Sequence, residues 1–228
     1  MCKYAYTILR AAVLAVAVAV FAGAVSVCAE PPNVSDATIE SIETFVREKR
    51  MTVLTFAGYS GAQYEDPEAM LKHAAKVLDA QDPAKTLINI GATEVGIGAV
   101  YELAKRKGFT TIGIVSSLAR DGKVELSKHV DRVFYVKDTH WGGKVPGTDQ
   151  LSPTSAAIVK SSTSFVAIGG GEVAKDELLA VRAAGKPVTF IAAEMNHKIA
   201  REKARKNGQP EPTDFLGPVH AALEKDKK

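Results

Sequence analysis

Residues 87–115, LINIGATEVGIGAVYELAKRKGFTTIGIV, decide the fold. Leu87 to Ile90 is a short apolar run of strand length, and Thr110 to Val115 is another. Between them, Gly91 opens a glycine-bearing turn that leads into a helix ending near Lys107-Gly108. Strand, glycine turn, helix and strand make one parallel βαβ unit with a right-handed crossover.

The same alternation extends outward. Met51 to Ala57 reads as a strand ended by the loop Gly58-Tyr59-Ser60-Gly61, and Asp66-Pro67 opens the next helix as N-cap and first-turn proline. Arg132 to Val136, Ser164 to Ile168 and Val188 to Ala192 bring the strands to six. Ser35 is placed as the N-cap of a helix that aligns Ile39, Ile42, Phe45 and Val46 on one face. Several strands are continuously apolar, as expected when helices cover both faces of a sheet. The expected class is therefore α/β, three layers around a mainly parallel sheet of six or more strands. Thr139 to Leu151 and the polar stretch Ala200 to Pro212 are expected to be surface excursions.

The 228 residues are 46% hydrophobic and 24% charged with a formal net charge of +3, an ordinary globular balance that excludes a nucleic-acid-binding charge pattern. Lys3 and Arg10 precede a small and apolar run, Ala11 to Val27, followed by Val27-Cys28-Ala29 and then Glu30. That is the layout of a secretory signal, with cleavage expected after Ala29 and export to the periplasm or outside the cell. An uncleaved membrane anchor remains open, because the run is about long enough to cross a bilayer; a lipoprotein is disfavoured by Val27 before the cysteine. Residues 1–29 are thus assigned as the leader and 30–228 as one domain with a helical C-terminal end. Loss of the leader removes Lys3 and Arg10, leaving 27 basic against 26 acidic residues, together with both cysteines, Cys2 and Cys28. A cysteine nucleophile and a cysteine metal site are then excluded. His73, His129, His140, His197 and His220 lack H-x-x-H spacing, so no metal and no cofactor is expected.

Three glycine-bearing loops follow strands: Gly58-Tyr59-Ser60-Gly61, then Gly91 to Ala99 with Thr93, Gly96 and Gly98, then Gly169-Gly170-Gly171 with Glu172, Asp176 and Glu177 behind it. Ligands of parallel sheets bind beyond the carboxyl ends of the strands, where glycine admits close backbone approach and helix starts offer N–H groups to anions. A small phosphorylated or nucleotide-like molecule is the expected partner. Trp141, in Asp138-Thr139-His140-Trp141-Gly142-Gly143, either stacks on a base at the ligand edge or packs on the sheet.

The strings TFAGYSG, NIGATEVGIGAVYELAKRKGFTTIGIVS and FVAIGGGEVAKDELLAV resemble the SLOG superfamily, over about Met51 to Ile191. Its best-known members are the LOG-type phosphoribohydrolases. The resemblance implies a Rossmann-like fold, a homodimer, nucleotide-like ligands and, in the enzymes, cleavage of the N-glycosidic bond of a nucleoside monophosphate. It places Glu177 where the family's catalytic glutamate stands, whereas Gly169, Val173 and Ala174 replace the motif's proline, third glycine and threonine. The family's catalytic arginine aligns with Thr154, beside Ser155, and neither residue is cationic. Lys144, Lys160 and Arg120 are the alternative cations. Two functions follow: a binding or sensing protein with a degenerate catalytic motif, or a hydrolase of nucleotide-like N-glycosides.

Overall fold

The computed structural model describes residues 32–225 and places every strand in one parallel sheet. In chain order the elements are β1 (Asn33–Ala37), α1 (Ile39–Lys49), β2 (Thr52–Gly58), α2 (Pro67–Asp79), β3 (Thr86–Asn89), a 3-10 turn (Gly96–Ala99) and α3 (Val100–Arg106). They continue with β4 (Thr110–Ser116), α4 (Leu118–Asp121), β5 (Arg132–Val136), α5 (Pro153–Ser161), β6 (Ser164–Ile168), α6 (Glu172–Ala183), β7 (Val188–Ile191), α7 (His197–Lys206) and α8 (Gly217–Lys225). The sheet order is β1-β5-β4-β3-β2-β6-β7, an α/β Rossmann-like three-layer arrangement. The chain reverses its direction of travel across the sheet between β2 and β6.

Successive strand residues point to opposite faces, and here both are apolar. Val53, Leu87 and Phe165 enter the core beneath α1, α5, α6 and α8, while Leu54, Ile88 and Val166 enter the core beneath α2 and α3. Helices on both sides thus account for the unbroken apolar runs.

One reading at the N-terminal side needs correction. Ser35 lies inside β1, which pairs with β5 from Asn33↔Arg132 to Ala37↔Val136. The cap of α1 is Thr38, whose side chain accepts from Ser41 N while the Ser41 hydroxyl accepts from Thr38 N. The apolar face of α1 is otherwise as read. The leader lies outside the described residues, and among those described no helix is long and apolar enough to cross a membrane.

Candidate functional site

Asn89 ends β3 and begins the opening of a cleft. Its Oδ1 accepts from Ile114 N at 3.1 Å, so a side chain takes the place of a strand carbonyl and β4 runs on through Ser116 paired with β5 only. Its Nδ2 donates to Thr55 Oγ1 at 3.2 Å, and Thr55 Oγ1 lies 2.7 Å from Ser162 Oγ. This buried network ties the carboxyl ends of β2, β3 and β4 together. Above them lies a cleft of about 390 Å³, closed on the other side by α5 and α6.

Three buried tyrosines brace the loops around it. Tyr101 Oη accepts from Ile90 N and Ala92 N and donates to Ile112 O at 2.7 Å, holding the turn after β3. Tyr64 Oη accepts from Tyr59 N and donates to Ile168 O at 2.7 Å, joining the ends of β2 and β6. Tyr59 Oη donates to Leu216 O at 2.7 Å, and burial pushes its hydroxyl up to about 12. Tyr59 was expected to meet the ligand; instead it is 2% exposed and serves as a wall between the first and third glycine loops.

The glycines divide by the same logic. Gly58 and Gly91 line the cleft, as do Ser60 and Thr93. Gly96 and Gly98 do not: a Cβ at the first would land on Tyr59 O, and at the second on Thr93 O. Gly169, at φ +58°, lies under the Tyr59 ring, with Ala193 O 2.8 Å from where a Cβ would stand. Gly170, at φ +133°, is packed between Ala174 and Val219. These four glycines permit close packing of protein on protein. Gly61 is exposed, with open space beside it, and Gly171 caps α6 without a side-chain hydrogen bond. Glu172 is exposed and paired with Lys175.

Glu177 reaches the cleft from the second turn of α6 and is 4% exposed. Ser155 Oγ donates to its Oε1 at 2.6 Å, and Gly143 N donates to Ser155 Oγ at 2.7 Å. Burial raises the Glu177 carboxyl from 4.5 to about 7, against the lowering effect of the Ser155 bond. Asp176, next along the helix, accepts from Lys144 N at 3.0 Å. The loop after β5 is therefore tied to α6 directly at Asp176 and through Ser155 of α5 at Glu177, and this loop carries Trp141 to the cleft mouth, 59% exposed. Thr154 lines the cleft at 3% exposure, its N–H donating to Asp138 Oδ2 at 2.8 Å.

No lysine, arginine or histidine among the described residues lines the cleft. Lys144 pairs with Asp149, Arg120 pairs with Asp36 of β1, and Lys160 sits at the far end of α5 from Thr154. Sequence reasoning missed Asn89, Tyr64 and Tyr101. The one signal it held was a tyrosine recurring in or shortly after two of the glycine loops.

No family model matches the chain, and no curated protein matches it significantly. Among solved structures it is similar to a structural genomics target, TM1055, with 21% identity, 60% of this chain and 72% of that one covered, and a TM-score of 0.43. It is also similar to the molybdenum cofactor carrier protein of Chlamydomonas reinhardtii, with 19% identity, 78% of this chain and 96% of that one covered, and a TM-score of 0.46. The likeness is one of Rossmann-like α/β fold.

Proposed function

We propose that this chain is an exported, SLOG-type binding or sensing protein for a nucleotide or nucleotide derivative, acting as a homodimer. The observation that carries the reading is the cleft beyond β2, β3 and β4, with Glu177 in its wall, Trp141 at its mouth and, among the described residues, no cation opposite. Cleavage of an N-glycosidic bond develops positive charge on the sugar and negative charge on the leaving base. Glu177 answers the first demand; among the described residues no cation in the cleft wall answers the second, so the chemistry is incomplete while the pocket is kept.

One observation favours hydrolysis as a second reading. A carboxyl that titrates at about 7 is poised to exchange a proton at neutral pH. Isothermal titration against nucleosides and nucleotides, with chromatographic assay for released base, separates the two. Binding without release supports the sensing protein, and stoichiometric release of base identifies the hydrolase. In either case Glu177→Gln is expected to lower affinity or turnover at least tenfold, about 1.4 kcal/mol. Glu172→Gln, altered on the exposed side of the same helix start, is expected to retain both. Unchanged binding in Glu177→Gln contradicts the site.

A further inference from the structure

Five large hydrophobic side chains are exposed among the described residues, and three of them, Val124, Trp141 and Val173, line this one cleft. An apolar rim around a pocket with polar walls suits a flat heterocycle, which covers the rim with its faces and meets the walls with its edge. The polar walls include one atom that needs such an edge. Thr154 Oγ1 is buried without a hydrogen bond of regular geometry, the Asp138 carboxylate beside it already accepting from Thr154 N; the only other such side-chain atom among the described residues, Arg132 Nε, is not at the cleft. Native interiors rarely leave a hydroxyl so placed, and a ligand edge supplies the missing bond.

Three N–H groups at the loop and helix starts that could hold a phosphate are already engaged. Ile97 N, in the second glycine loop, donates to Tyr59 O at 2.7 Å. The start of α5 spends Thr154 N on Asp138 and Ser155 N on Ser152 Oγ. The first turn of α6 carries its own anion, Glu172. The walls add Glu125 and, once its proton is lost near neutral pH, Glu177, while Lys175, the cation nearest in sequence to Glu177, is bound between Glu172 and Asp176. A phosphate monoester would bring further negative charge to a site of negative sign.

We propose that the cleft selects an uncharged nucleoside over its 5′-monophosphate, with the base stacked against Trp141 and its edge hydrogen-bonded to Thr154 Oγ1. This rests on the nucleotide-like reading above and narrows it to the dephosphorylated form. Trp141 is the only tryptophan of the chain, so its fluorescence reports the stack directly. The full chain is titrated with the four common ribonucleosides and their 5′-monophosphates, by fluorescence and calorimetry. At least one nucleoside is expected to quench Trp141 and bind ten times or more tightly than its monophosphate. Thr154→Val is expected to weaken that nucleoside at least tenfold without lowering the melting temperature, and Thr154→Ser to restore it. A monophosphate that binds as tightly as its nucleoside, or more tightly, overturns the proposal and leaves the nucleotide-binding reading standing. Absence of binding by every nucleoside and monophosphate overturns both. Full affinity in a folded Thr154→Val variant overturns the role of Thr154.

Discussion

Removing the Glu177 side chain from water costs free energy that one hydrogen bond from Ser155 recovers only in part. The folded protein therefore holds the Glu177 proton up to about pH 7, whereas an exposed glutamate releases it near 4.5. The folded state binds more protons than the unfolded state between those values, so the contribution to stability is whole below about 4.5 and is lost as pH rises through 7. The full swing is about 3 kcal/mol. Glu177→Gln has no such proton to lose, so its stability relative to the parent should rise between pH 5 and pH 8. Urea unfolding of both proteins across that range measures the difference, and parallel pH profiles would contradict the burial argument. Glu177 and Trp141 were legible in the sequence because each stands in or beside a loop that follows a strand. The engagement of Ser155 with Glu177 was not legible, since it depends on α5 and α6 lying side by side.

At the scale of elements, the strand-to-helix turns carry the sharpest expectations. Gly98 abuts backbone that has nowhere to move, and Gly61 faces open space. Gly98→Ala should cost about 3 kcal/mol by overpacking, whereas Gly61→Ala should stay within about 0.5 kcal/mol of the parent. Tyr101→Phe removes the acceptor of two buried N–H groups and should cost about 2 kcal/mol. Chemical denaturation of the three variants checks all of this, and equal stability of the two alanine variants would refute the packing account of the turn. The βαβ unit from β3 to β4 was readable because its apolar runs, glycines and helix follow each other without interruption. β1 was not, because NVSDA has neither an apolar run nor clear alternation, as befits an edge strand with two of its five residues half-buried. The burial of Tyr59 was equally hidden, since its hydroxyl is satisfied by Leu216, 157 residues further on.

For the molecule as a whole, the expectations concern its ends and its partners. N-terminal sequencing of protein recovered from the exported fraction should begin at Glu30, and an intact Met1 in washed membranes would favour the anchor instead. Sedimentation of that protein should give twice the mass of one chain if the homodimer holds. The parallel arrangement of β1 has a bearing on how the molecule is held. A parallel sheet has two unlike edges, and β1 enters at the edge where every strand begins, while the cleft opens at the edge where β2, β3 and β4 end. A five-residue strand spans about 17 Å. Asn33 therefore begins the described fold on the side away from the cleft mouth, and a surface met by that side leaves the way in unobstructed.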